Sequence, residues 1–289
     1  MIKSKAFVDT TILADSLIKT GEEKVKAKAA LAKYEITELP VYAIKEFKAG
    51  PLDYVKYLYN KLLETKTIGR TFIVLNNNVR QQNRRATAIR VLGELCEEVE
   101  LLKTDAGLKK KYGELADDER TMTDSVKLKT KMLLYKAWHE RASITTNIVQ
   151  PLSCYQEKAP YEEKNGQLSL KPNKCETDNC CLTEKLKGKR FDVTKLKVAI
   201  DKLESTLKTK PENVKRQKIL REINSKPNVK ISNSDCRNLG DAVFALFCPV
   251  DADILTTNIK DHKPLANALG KTVVSPQQIL GNTTKLTKI

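Results

Sequence analysis

Four carboxylates stand in or beside apolar stretches of the chain. They are Asp9 in AFVDTTIL, Glu46 in ITELPVYAIKEFKAG, and Asp241 and Asp261 in GDAVFALFCPVDADILTTNIKDH. Asp9 closes a short apolar run, and Asp261 follows another, ILTTN. In open parallel α/β sheets, functional groups gather beyond the carboxyl ends of the strands, so these positions can converge on one cleft. Carboxylates drawn together repel, and a divalent cation between them removes the repulsion. Mg²⁺ and Mn²⁺ prefer hard oxygen ligands and keep water in their remaining positions. Two such ions can activate a water and stabilise the leaving oxygen of a phosphodiester. Each acid also has a plainer reading: a turn former or cap, a helix N-terminal charge for Asp241, a solvated face for Glu46. It is their joint placement that argues for a site. Asp253 can lie near it, whereas Asp251 is read as part of the PVDAD turn.

The charge of the chain points to what such a site would meet. Lys and Arg total 52 against 36 Asp and Glu, a formal charge of +16. That surplus predicts a polyanionic partner, nucleic acid ahead of an anionic membrane surface. In NNNVRQQNRRATAIR, the spacing of Arg80, Arg84 and Arg85 places them in one basic patch on a helix. The patch either grips a phosphate backbone or is a solvated face. No apolar run approaches the ~20 residues of a membrane span. The opening residues are too short and interrupted for a signal peptide. The expectation is a cytoplasmic protein with no membrane contact and seven reduced cysteines. Cys154, Cys175, Cys180 and Cys181 form a cluster whose alternative reading is a zinc knot. Cys96, Cys236 and Cys248 look like core residues. With two histidines in the chain, a mechanism built on histidine acid–base chemistry is disfavoured. His139 reads as structural, and His262 as a surface or capping residue, or a substrate contact beside Asp261. No Walker loop or dinucleotide fingerprint is present, so no nucleotide cofactor is implied.

The elements that must position these groups follow from pattern. AFVDTTIL reads as a buried strand ending near Asp9, with a helix starting at once, capped with help from Thr10 or Thr11. Residues 22–34 are helical by propensity. ITELP is a strand or turn, followed by a helix with Pro40 in its first turn and Gly50 as its C-terminal cap. LDYVKYLYNKLLE is a helix with a stripe at Leu52, Val55, Leu58, Leu62 and Leu63. TFIVLN is a strand or the start of a long helix. The pattern is then helical from Val79 to about Leu102, and helical character continues to residue 150. Residues near 151–190 read as an irregular, cysteine-containing loop. Residues 192–223 return to helix, with a break near Pro211. VKIS is a strand or linker, and NLGDAVFALFC a helix with Asn238 or Asp235 near its start. ADILTTN is a strand, KDHKPLANALG a turn and a short helix closed by Gly270, and KTVVSPQQIL supplies a last strand. Strand–helix alternation at both ends with a helical middle predicts an α/β core interrupted by an insertion.

At this point the chain resembles a known family. FVDTTILAD resembles the opening motif of the PIN-domain nucleases: a hydrophobic strand, an aspartate, a small hydroxyl residue, then a helix. ITELPVYAIKEFKAG is similar to the second motif, whose helix carries a glutamate, here Glu46. GDAVFALFCPVDADILTTNIKDHKPLANALG resembles the closing pair: a helix-borne Asp241, a strand ending in a Thr-x-Asn/Asp type of sequence at Thr256, Thr257 and Asn258, and a final Asp261. His262 stands where an aromatic residue is commoner. The resemblance covers residues 1–75 and roughly 230–289, leaving 76–229 as a mainly helical insertion. It implies an α/β fold with a PIN-like parallel-sheet core flanked by helices. It implies a metal-dependent endonuclease, RNA before DNA, with Mg²⁺ or Mn²⁺ held by Asp9, Glu46, Asp241 and Asp261. Thr10, Thr11 or Asn258 would orient a water or a phosphate oxygen. Many members are toxins neutralised by an antitoxin protein, so an inhibitory protein partner is among the expectations, and a homo-oligomer is left open. The alternatives carried alongside are a non-catalytic nucleic-acid-binding protein of the same fold and a DNA-directed nuclease.

Overall fold

A strand covered on both faces has no need of polar alternation. In the computed structural model the run KAFV forms β1 (Lys5–Val8), with Ala6, Phe7 and Val8 fully buried. The structure describes residues 3–77, 82–104, 118–149, 161–170, 181–188, 190–206, 211–226, 229 and 231–281. Asp9 ends the strand and opens α1 (Thr10–Leu17). Its backbone is extended and its carboxylate accepts a hydrogen bond from the Thr11 amide. Asp9 is therefore the cap, a role that the sequence suggested for Thr10 or Thr11.

After α2 (Gly21–Leu31), ITELP is a strand, β2 (Ile36–Pro40), parallel to β1 with Ala6 opposite Thr37. Pro40 lacks an amide proton and sits at the strand's last position, just ahead of α3 (Val41–Phe47). Gly50 does not close that helix. The chain runs through a π-helical turn (Lys48–Leu52), which houses Pro51, into α4 (Asp53–Thr65). The stop comes at Lys66, in the left-handed conformation at φ 63°. TFIVLN lies within helix α5 (Ile68–Asn77), followed by α6 (Gln82–Thr104) and α7 (Glu119–Glu140).

Residues 147–149, expected to be helical, instead form β3 (Asn147–Val149), parallel to β2. Within the stretch expected to be irregular, β4 (Tyr161–Lys164) and β5 (Gln167–Leu170) make an antiparallel hairpin. Its turn is Asn165-Gly166 with φ of 53° and 76°, the double left-handed geometry that Asn-Gly favours. The Asn60 amide on α4 exchanges two hydrogen bonds with the Leu168 backbone, at 2.8 and 2.9 Å, fixing the hairpin to the helices.

Helices α8 (Cys181–Gly188), α9 (Arg190–Thr206) and α10 (Pro211–Ser225) follow, α10 starting at Pro211, near which a break was expected. In VKIS, read as a strand or linker, Val229, Ile231 and Ser232 belong to no strand; Ser232 caps α11 (Asn233–Asn238), and the apolar helix is a separate piece, α12 (Gly240–Phe247). The chain closes with β6 (Ala252–Leu255), α13 (Ile259–Ala268), β7 (Thr272–Val274) and α14 (Pro276–Leu280). Gly270, at φ 70°, follows α13 as expected.

The core is a five-stranded sheet in the order β3-β2-β1-β6-β7, parallel at every pairing and flanked by helices. Between β1 and β6 the connections leave in opposite directions, towards β2 on one side and β7 on the other. This is the switch point at which open α/β sheets form a crevice. Phe7 of β1 packs against Phe244 of α12, ring centroids 4.7 Å apart, beneath that crevice. Among the described residues no helix is long and apolar enough to cross a membrane.

Candidate functional site

The crevice beyond β1 and β6 is built from Asp9 outward. Asp9 is 3% exposed. Its Oδ2 accepts from the Thr11 hydroxyl at 2.7 Å, the Thr256 hydroxyl at 2.8 Å and the Thr11 amide at 3.3 Å. Thr256 follows the last residue of β6, so both strand ends hold one carboxylate. The Thr11 hydroxyl also accepts the Thr257 amide at 3.1 Å, and the Thr256 hydroxyl accepts the Asn258 amide at 2.9 Å. Burial works against ionisation of Asp9, but His262 and the two threonines outweigh it and hold its pKa below the ordinary value.

Glu46 arrives from α3, where the Thr10 hydroxyl lies 2.9 Å from its Oε2 and 3.2 Å from the Ala43 carbonyl. Thr10 thus orients an acid. Gly240, the first residue of α12, closes against the same group: a Cβ there would meet the Tyr42 hydroxyl at 2.7 Å and Glu46 Oε1 at 3.0 Å. The absence of a side chain lets the helix carrying Asp241 approach the helix carrying Glu46. Burial first, then the charges of Asp9 and Asp241, push the Glu46 carboxyl up to about 7, against the pull of Thr10 and His262.

Asp241 sits one residue into α12. Burial raises its pKa, with Asp9 and Asp261 adding to the rise and His262 and Arg216 opposing it. Asp261, exposed on the first turn of α13, lines one pocket with Asp241. It lies on that helix, where a preceding turn was expected.

Two basic side chains stand among these acids: His262, read from the sequence as a surface or capping residue or a substrate contact, and Arg216, which the sequence did not single out. His262 is 2% exposed. Its Nε2 lies 3.5 Å from Asp9 Oδ1 and 3.8 Å from Asp241 Oδ1. Its ring meets Phe244 edge-on at 5.3 Å. Burial alone would lower its pKa, but Asp9, Asp241 and Glu46 raise it overall. His262 is therefore a buried bridge between two carboxylates, where a surface or capping role had been considered. Arg216, from α10, donates to Asp241 Oδ2 at 3.2 Å. Neither was legible locally. His262 follows a loop-like KD, and Arg216 sits in a helix rich in lysine.

Asn258 precedes α13 and makes no side-chain cap bond. Arg84 pairs with Asp53 at 2.7 Å and stacks over Tyr57 at 4.4 Å, while Arg85 donates to the Asn76 carbonyl at 3.1 Å. Arg80, Cys154, Cys175 and Cys180 lie outside the described residues, and Cys181 is the first residue of α8. Asp253 is not at the crevice. It is 1% exposed near the start of β6, bound to the Lys3 amide at 3.0 Å. Asp251 is exposed and pairs with Lys5 at 3.0 Å.

Among the described residues no three His, Cys, Asp or Glu side chains are drawn together closely enough to ligate one ion as they stand. The crevice offers instead the Asp9–Asp241 pair about His262, with Glu46 and Asp261 as electrostatic neighbours. Oxygen donors of this kind suit a hard divalent cation, whose charge would take over the compensation that His262 and Arg216 now provide. Comparison with protein-family models, with curated proteins and with solved structures finds no match to this chain.

Proposed function

We propose that the chain is a metal-dependent endonuclease of the PIN-domain type that hydrolyses phosphodiester bonds, in RNA before DNA. The observation that carries this reading is the convergence of Asp9, Glu46 and Asp241 from three separate elements on the switch point of the sheet, with Glu46 pushed up to about 7. A structural carboxylate is normally placed away from others, because each added like charge raises the cost of ionising the set.

Asp9 and Asp241 would hold Mg²⁺ or Mn²⁺, with Glu46 and Asp261 completing or orienting the set. When bound, the ion supplies Lewis-acid stabilisation and an activated water. Asp9 contributes a rigid, ionised carboxylate, because Thr11 and Thr256 fix one oxygen. Glu46 can carry a proton near neutral pH, while Thr10 donates to its Oε2. His262 stands between Asp9 and Asp241 and, when protonated, holds the pair together alongside Arg216. The surplus of lysine and arginine supports a polyanionic substrate by raising its local concentration.

A second reading has one specific observation in its favour. Arg216 and, when protonated, His262 already compensate Asp9 and Asp241, as they would in a nucleic-acid-binding protein with a silent site. The two are separated by offering purified protein single-stranded RNA, structured RNA and single-stranded DNA with Mn²⁺, with Mg²⁺ and with chelator. Cleavage that requires metal and disappears in Asp9→Asn is expected. Cleavage indifferent to chelator or to that substitution sinks the metal reading, and binding without cleavage under every condition establishes the silent one.

A further inference from the structure

Arg216 belongs to α10, within the segment that separates the two halves of the sheet core, yet it reaches the crevice. Its side chain is 13% exposed. Nε donates to the Asn238 carbonyl at 2.8 Å, Nη1 to Asn213 Oδ1 at 3.2 Å and Nη2 to Asp241 Oδ2 at 3.2 Å. Asn213 is itself buried. A guanidinium has five N–H donors. Three are used here, so one hydrogen on each Nη makes no bond among the described residues. Arg216 lines the same pocket as Asp241, Asp261 and Glu212.

We propose that Arg216 binds a phosphodiester of the nucleic acid, which rests on the nuclease reading above. An acidic crevice repels a phosphate, so a substrate needs a fixed positive group beside the acids. The planar fork of arginine matches two phosphate oxygens, and a lysine at the same place would offer a point charge. Here the fork is held by three acceptors on α10, α11 and α12, so little rotamer freedom remains to be lost on binding. The Asp241 contact keeps the group in place between substrates. A guanidinium serving only to balance Asp241 would not need its other two anchors, and would become dispensable once Asp241 carried no charge.

That last point is the test. Binding of labelled single-stranded RNA, and of DNA of the same sequence, is measured by fluorescence anisotropy in chelator over a series of salt concentrations. The proteins are the full chain, Arg216→Gln, Arg216→Lys, Asp241→Asn and the Asp241→Asn/Arg216→Gln double variant, each checked by circular dichroism and thermal melting. Arg216→Gln should weaken binding about tenfold, the scale of a hydrogen bond to a charged group. It should also reduce the slope of log affinity against log salt by about 0.7, as for one lost contact to a single strand. Arg216→Lys should keep the slope and lose part of the affinity, and it carries the test alone if the glutamine variant does not fold. The loss from Arg216→Gln should persist in the Asp241→Asn background. A loss that vanishes there shows Arg216 to be a counter-ion only and overturns the proposal, as does a lysine variant with a reduced slope. Equal losses on RNA and DNA support a phosphate contact, and a loss on RNA alone reassigns it to the 2′-hydroxyl. If the unaltered chain binds neither nucleic acid in chelator and cleaves neither with Mn²⁺ or Mg²⁺, the nuclease reading itself fails. If it binds both and the variants bind equally well, only the role of Arg216 fails.

Discussion

Asp9 and Asp253 lie on or beside neighbouring parallel strands and are almost equally sealed from solvent, at 3% and 1% exposure. Asp253 sits opposite Ala6 near the amino end of β6, while Asp9 follows the last residue of β1 at the carboxyl end. Asp253 is surrounded by local partners: the Lys3 amide at 3.0 Å, the Tyr34 hydroxyl at 3.5 Å and the Lys3 ammonium at 3.8 Å. Asp9 is fixed by threonines on one oxygen and turned towards His262, Asp241 and Glu46 through its surroundings. The amino edge is closed by chain segments that bring their own cation. The carboxyl edge is opened by connections that diverge from the switch point, and other acids fill the space. Burial of a carboxylate is common to both edges. What separates them is whether its neighbours are its own donors or further carboxylates.

The largest effect should therefore fall on one aspartate and spare the other. Asp9→Asn should lower kcat/KM by about 10³-fold or more, the scale of removing one member of a catalytic unit. Asp253→Asn should leave kcat/KM within about twofold, because the two sites share no partners. Steady-state cleavage assays on both variants decide it. Equal losses would mean that both edges act through stability and that the contrast drawn between them is false.

Gly240→Ala comes next, since it attacks the convergence without removing any acid. Its Cβ would stand 2.7 Å from the Tyr42 hydroxyl and 3.0 Å from Glu46 Oε1. Relief requires moving α12 away from α3, at a cost of about 1–3 kcal/mol for an overpacked contact. Urea denaturation should show that loss, and adding Tyr42→Phe should recover part of it by removing the nearer atom. At the opposite edge, Asp253→Asn should cost about 1–3 kcal/mol through donors left without a charged acceptor, with no such rescue.

The contrast between the edges was only half legible in the sequence. An apolar run ended by aspartate and followed at once by a helix is a local signal, so β1, Asp9 and α1 were readable. The same holds for β6 and for Glu46 on its helix. β3 was not, because a three-residue edge strand with two exposed positions carries no periodic pattern. The hairpin had its signal in Asn165-Gly166, but flanking charges hid the strands. From the sequence Asp253 could lie near the site, since its partners Lys3 and Tyr34 are more than two hundred residues away. Arg216, and the bridging role of His262, were missed for the same reason. Each acquires its meaning from carboxylates on other elements, and chain distance erases that from any local pattern.

The smallest effect reads the charge state of Glu46 in the crevice. Burial, then Asp9, then Asp241 hold Glu46 at about 7, against 4.5 for an unperturbed glutamate. A carboxyl whose pKa is raised on folding favours the folded state when protonated. Its cost is thus fully present above about pH 7 and is relieved as the pH falls towards 4.5. In chelator, this group should add about 1–2 kcal/mol of stability between roughly pH 8 and pH 5, and Glu46→Gln should remove that slope. His262, with its raised pKa, also loses stabilisation as the pH rises through its folded value. Glu46 helps to raise that pKa, so the difference between the two denaturation curves reads Glu46 together with its coupling to His262. Asp253→Asn should keep the wild-type slope, because its partners lie at the other edge. Parallel profiles for Glu46→Gln and wild type would show that Glu46 does not feel the other acids, and the convergence on which the nuclease reading rests would be lost even if Asp9 proved essential.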